Sequence, residues 1–151
     1  MGDSQRLVRI LGAGLAGSEA ALQLADRGIR VELVEMRPEV GTAVHKTGNA
    51  AELVCSNSLK STNPDSAAGM LKAELSALGS RLIDAAMRNR VAAGGALAVD
   101  RDAFSGEVTA RLCAHPRIEI SRRLARSLDE EAVGVDALIV ATGPLTEGDL
   151  A

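Results

Sequence analysis

Residues 7–35 read LVRILGAGLAGSEAALQLADRGIRVELVE, and this stretch decides the fold. Leu7, Val8, Ile10 and Leu11 form a short apolar run, uncharged apart from Arg9, that ends in glycine and reads as a buried parallel strand. GAGLAG, Gly12 to Gly17, follows directly, and Ala16, Ala20 and Leu24 then recur at helical spacing, so a helix opens inside the glycine motif. Gly28 is placed to stop that helix, and Val31 to Val34 make the next strand, which delivers Glu35 at its carboxyl end. Each glycine has a task in a dinucleotide-binding unit: Gly12 permits the tight turn, Gly14 lets a pyrophosphate approach the backbone, and Gly17 lets the helix pack on the strand. The helix N-terminus then faces the anion. Glu35 stands where an acid reaches a ribose hydroxyl, and its charge disfavours the 2′-phosphate of NADP at this site.

Two features favour FAD over NAD. One is the run Glu35, Met36, Arg37, Pro38; the other is Ala137 to Val140 leading into Ala141, Thr142 and Gly143, which resembles the second glycine turn of flavoprotein disulfide-reductase-like domains. The expected cofactor contacts are therefore Gly12, Ala13, Gly14, Leu15, Ala16, Gly17, Glu35, Arg37, Thr142 and Gly143. No metal site is expected. The fold class is α/β, a Rossmann-like FAD-binding domain built on a parallel sheet.

At 151 residues and 46% hydrophobic content the chain can bury one modest core. The last expected strand runs into Pro144 and a polar tail with no substrate domain behind it. The expectation is thus an amino-terminal part of an FAD-binding domain, incomplete at its carboxyl end. Within 1–151 it divides into a βαβ unit at 6–36, a thiol loop at 37–65, a helical and extended segment at 66–116, and sheet-completing strands at 117–143. A net charge of −3 provides no global basic field. The clusters Arg81, Arg88, Arg90 and Arg117, Arg122, Arg123, Arg126 read as solvated faces balanced by acids. With Phe104 as the single aromatic of its kind and neither Trp nor Tyr, little is available for stacking bases. Leu7 begins the first strand, so no signal peptide is expected. No apolar run approaches a membrane span, and Met1-Gly2 makes no myristoylation signal with Arg6 at the Ser/Thr position. Two cysteines without a C-x-x-C pattern fit a reduced, cytoplasmic protein.

Between Arg37 and Thr62 the chain is polar and lacks periodicity, which predicts a long loop near the cofactor, carrying His45, Lys46, Thr47 and Cys55. A helix is expected from Asn63 to Ser66 onward, with Leu71, Leu75, Leu78 and Leu82 as a core stripe and Gly79 as a cost to the helix or a kink. Val91 to Val99, with Gly94 and Gly95, reads as extended or looped backbone in close approach to a neighbour. Asp100 or Asp102 caps a second helix carrying Phe104, Val108 and Leu112; Pro116 ends it, and Ile118 to Ser121 alternate as a strand. Cys113, on that helix without polar neighbours, reads as structural. Cys55 reads either as a small buried hydrophobe or as a thiol for chemistry.

GAGLAGSEAALQLADRG, VELVEMRP, AELVCSNSLKS, GMLKAELSALG and AGGALAVDRDAFSGEV together resemble the folate- and FAD-dependent tRNA uracil-5-methyltransferases, from about Leu7 to Gly143. The resemblance implies transfer of a one-carbon unit from methylenetetrahydrofolate to C5 of a T-loop uridine in tRNA, with FAD as cofactor and NAD(P)H as its reductant. It also implies a role for Cys55. Uracil C5 is a poor nucleophile, and thiolate addition at C6 turns the base into an enolate; the C5 proton must later pass to a base. The family is thought to use two cysteines, which leaves Cys55 as nucleophile, acid/base partner or guard of the flavin. A related flavoprotein family that modifies the wobble uridine shares the glycine turn, but an Asn-Pro pair is expected after its cysteine, where Ser56 and Asn57 stand here. A non-catalytic FAD-binding fragment is the remaining alternative.

Overall fold

A computed structural model describes residues 6–146 and 150; Met1, Gly2 and the tail residues Glu147, Gly148, Asp149 and Ala151 lie outside the described residues. In chain order the elements begin with β1 (Leu7–Leu11), α1 (Leu15–Asp26), β2 (Arg30–Glu35), β3 (Ser58–Ser61), α2 (Ala67–Ala77) and α3 (Arg81–Arg88). They continue with β4 (Arg90–Val91), β5 (Ala96–Val99), α4 (Arg101–Ala114), β6 (Ile118–Arg122), α5 (Leu128–Glu131), β7 (Ala137–Val140) and a 3-10 turn at Gly143–Leu145.

The main sheet has the order β6-β2-β1-β7 and every pairing in it is parallel, with Val8 opposite Val31 and Ala137, and Leu11 opposite Val34 and Val140. This is the Rossmann-like α/β arrangement that the glycine motif predicts. Ile10 and Leu33 on the two central strands are fully buried, as are Phe104, Val108 and Leu112 at four-residue spacing on α4, and α1 adds Ala21, Leu22 and Ala25 to the same core. Close packing of α1 on β1 depends on two glycines. A Cβ on Gly17 would stand 1.9 Å from the Gly12 carbonyl oxygen, and one on Gly12 would stand 2.7 Å from that of Ala141. Between β2 and β6 the chain leaves the sheet and builds a second, antiparallel one of order β3-β5-β4.

Four expectations need correction. The leucine stripe is not core: Leu71 is 55% and Leu78 74% exposed, and only Leu82 is buried. The helix breaks at Leu78 to Ser80, so Leu82 belongs to α3 and points elsewhere, while α2 is seated by Gly69, whose Cβ would meet the Asn63 carbonyl oxygen at 1.8 Å. The thiol loop is not wholly irregular, since β3 pairs with β5 inside it. Gly94 makes no close approach; it has φ +58 with open space around it, and serves a hairpin turn. Cys113 is exposed, although its neighbour Leu112 on α4 is buried. No helix among the described residues is long and apolar enough to cross a membrane.

Candidate functional site

β1, β2 and β6 are laid down in one direction across the sheet and β7 is added on the other side of β1, so the strand order reverses between β1 and β7. Ligands of open α/β sheets bind outside the carboxyl ends of the strands at such a point. A cleft of about 350 Å³ lies there, between the glycine turn (Gly12, Gly14), the end of β2 (Glu35, Met36, Arg37), the loop at Val40 to His45, and Ala141 with Thr142. Its size falls at the lower end of small-molecule sites.

α1 points its N-terminus at this cleft. Of the five α-helices among the described residues it alone lacks a side-chain cap: Ser66, Ser80, Asp100 and Ser127 cap the others, whereas Gly14 has no side chain to offer. The first-turn N–H groups are thus left for an external acceptor, and the helix dipole favours an anion. A Cβ on Gly14 would have nothing within 4 Å, so the protein leaves the space over that turn free. The turn itself is braced, because Ser18 Oγ donates to the Ala13 carbonyl at 3.1 Å and Ala51 N–H donates to the same oxygen at 2.8 Å.

Glu35 stands beside the glycine turn and borders the same cleft. Its Oε2 accepts the Ala13 N–H at 2.9 Å, and its Oε1 accepts the Arg37 N–H at 3.0 Å and Arg37 Nε at 2.8 Å. Burial acts to raise its pKa, but those donors and the Arg37 charge outweigh burial and hold the carboxyl below its ordinary value. A carboxylate has about four acceptor positions. Three are filled from the protein, which leaves capacity for one donor such as a ribose hydroxyl.

Arg37 is buried, and its Nη1 reaches Glu52 at 3.1 Å, so the guanidinium is shared between two carboxylates. Glu52 in turn accepts the Lys46 N–H at 2.8 Å, the Thr47 N–H at 3.2 Å and Thr47 Oγ1 at 2.9 Å. Arg122 Nη1 donates to the carbonyls of Arg37, at 2.7 Å, and Gly48, at 2.9 Å. His45 lines the cleft with its Nδ1 2.6 Å from Thr42 Oγ1. Burial first and the Arg37 charge second hold its pKa below the ordinary imidazole value, against the pull of Glu52 and Glu35.

Of the residues expected to touch a cofactor, Gly12, Gly14, Glu35, Arg37 and Thr142 line the cleft. Ala13 is bonded to Glu35, Leu15, Ala16 and Gly17 form the first turn of α1, and Gly143 opens the turn after Thr142. Cys55 is exposed and is not among the cleft's lining residues. It follows the buried pair Ala50 and Ala51, which dock on the glycine turn, and precedes Asn57, whose Nδ2 donates to the Val99 carbonyl at 3.2 Å and whose own carbonyl accepts the Val99 N–H at 2.9 Å. Sequence reading passed over Glu52 and Arg122. The only hint of Glu52 was an acid near basic residues in an aperiodic loop, and Arg122 was hidden in a run of surface-like arginines.

The family model described as Glucose inhibited division protein A matches residues 7–151. The chain belongs to the glucose inhibited division protein A family. Among curated proteins, this family member is 50% identical over 144 residues to the methylenetetrahydrofolate–tRNA-(uracil-5-)-methyltransferase TrmFO of Symbiobacterium thermophilum, covering 95% of this chain and 31% of that protein. It is 52% identical over 144 residues to the protein of the same name from Desulfitobacterium hafniense, covering 95% of this chain and 32% of that protein. The family member thus spans about a third of the length of the curated relatives it matches. Among solved structures, the 6-hydroxypseudooxynicotine amine oxidase of Pseudomonas geniculata aligns at 18% identity and TM-score 0.47, over 95% of this chain and 15% of that one. So distant a likeness carries no argument about this chain.

Proposed function

We propose that this chain supplies the FAD-binding part of a methylenetetrahydrofolate-dependent tRNA uracil-5-methyltransferase. The observation that carries the cofactor is the uncapped N-terminus of α1 opening on a cleft that is also bordered by Glu35, which has one acceptor position spare. Relatives at 50–52% identity, named as methylenetetrahydrofolate–tRNA-(uracil-5-)-methyltransferases, support the reaction and its substrates, the folate and tRNA. When bound and reduced by NAD(P)H, FAD would supply the two electrons that convert the one-carbon unit to a methyl group.

The chain's own residues bind and orient. The Gly14 backbone and the first turn of α1 hold the pyrophosphate, Glu35 accepts a ribose hydroxyl and repels a 2′-phosphate, and Thr142 with Gly143 borders the cofactor from β7. Arg37 borders the cofactor space and also holds Glu35 in place. Cys55 stands outside the cleft and open to solvent, where a base of a macromolecular substrate can reach it. There it serves either as nucleophile at uracil C6 or as the acid/base group that takes the C5 proton. Two exposed free cysteines fit the reducing cytoplasm as the protein's home.

The chain as it stands tests the cofactor. Purified, it should carry or take up FAD with a flavin spectrum and bind FAD well ahead of NADP; a folded product indifferent to FAD overturns the reading. Cys55→Ala in the full-length enzyme should keep FAD and lose folate-dependent tRNA methylation. The position of Cys55 outside the cleft favours one second reading, a cofactor-binding module in which this thiol is not used. Methylation intact in Cys55→Ala would select it.

A further inference from the structure

Glu52 does not line the cleft, yet it joins two parts of its wall. One of its oxygens accepts the Lys46 N–H; the other accepts the Thr47 N–H, Thr47 Oγ1 and Arg37 Nη1. Arg37, 5% exposed at its side chain, passes the connection on by giving Nε to Glu35. A continuous path of charged hydrogen bonds therefore leads from the loop backbone at Lys46 and Thr47, through Glu52 and Arg37, to Glu35, the one carboxylate among the described residues that lines the cleft. Every partner of Glu52 on this path is a donor. An amide cannot replace it: whichever way it turns, its NH₂ faces either Lys46 N–H or the three donors on the other side.

We propose that Glu52 is the positioning residue that couples the cleft to the loop leading to Cys55, so that ligand affinity and the order of residues 42–52 rise and fall together. Without the Glu52 charge, Arg37 has one carboxylate partner instead of two and no longer fixes Glu35 in one orientation. The N–H groups of Lys46 and Thr47 lose their acceptor at the same time, and the loop is released towards water. The affinity half of the coupling rests on the nucleotide reading of the cleft; the loop half does not.

Two measurements on the 151-residue chain separate them: the dissociation constants of FAD and ADP, and the rate of tryptic cleavage after Lys46, which is exposed and identifiable by fragment mass. Glu52→Gln should raise both dissociation constants by about ten-fold and speed cleavage after Lys46 by a similar factor. Saturating FAD should slow that cleavage in the unaltered chain. Thr47→Val, which removes one donor, should move both quantities the same way by about three-fold, and carries the comparison if Glu52→Gln loses its fold by circular dichroism. Unchanged cleavage after Lys46, or dissociation constants equal to those of the unaltered chain, overturns the coupling. If the unaltered chain is folded but binds neither FAD nor ADP, the nucleotide reading fails, and the cleavage rates alone decide whether Glu52 holds the loop.

Discussion

Two ionic clusters flank β2, and they are built on opposite plans. In the first, one guanidinium, Arg37, serves two carboxylates, Glu35 and Glu52, at the end of the strand beside the cleft. In the second, two guanidinium groups serve two carboxylates: Arg9 and Arg123 both reach Glu32, at 2.8 and 3.3 Å, and both reach Glu131, tying β1, β2 and α5 together. Glu131 is held below its ordinary pKa, first by Arg123, and Arg123 is raised, first by Glu131. The balanced cluster pairs each of its charges internally, and only Arg123 of its four members borders the cleft. The unbalanced one carries an excess negative charge, and its spare acceptor faces the cleft. In one cluster each acid has two cations, and in the other a single cation holds both acids.

Removing the single cation should break this contrast most sharply. Arg37→Ala leaves the buried Glu35 and the half-buried Glu52 without their shared partner and should cost about 3 kcal/mol of stability by urea denaturation, with FAD uptake lost. Next, Glu35→Gln removes the charge that receives the ribose, and should weaken FAD binding by about 10- to 100-fold in a fluorescence titration. Arg9→Ala strikes the balanced cluster, where Arg123 still serves both acids. It should cost about 2 kcal/mol and leave the FAD dissociation constant unchanged, since Arg9 does not line the cleft.

Acid should dissolve both clusters. Glu35, Glu52 and Glu131 all have folded pKa values below their ordinary ones, so the unfolded chain binds more protons in acid. Their contribution is complete above the unfolded carboxyl value, about pH 4.5, and is lost as pH falls through the lower folded values. Urea midpoints should therefore drop from about pH 6 to about pH 3, and FAD affinity should fall in the same window because Glu35 loses its hold on Arg37. The smallest effect lies outside both clusters. Lys60 sits in β3 at φ +67, and Lys60→Gly should stabilise the chain by about 0.5 kcal/mol without touching FAD affinity, a control for the rest.

Much of this architecture is legible in residues 7–35, because strand, turn, helix and strand are each specified by neighbours a few positions apart. Gly12 and Gly17 are required by contacts of the turn with itself and with one adjoining strand, so their spacing in sequence carries the geometry. The Phe104, Val108 and Leu112 stripe was legible for the same reason, since one unbroken helix keeps one face. The leucines from 71 to 82 carry the same period and mislead, because the chain breaks at Leu78 to Ser80 and Leu82 belongs to a separate helix, a break that periodicity does not register.

By itself, then, the sequence determined the parallel α/β frame, the direction of α1 and the placing of Glu35 at a strand end, all consequences of local periodicity and glycine geometry. Tertiary structure alone decided that Arg37 is shared between two acids, that Arg122 clamps a loop 74 residues away at Gly48, and that Cys55 stands outside the cleft. Those depend on where an aperiodic loop comes to rest. Side-chain hydrogen bonds between distant segments fix that, and no spacing in the chain encodes them.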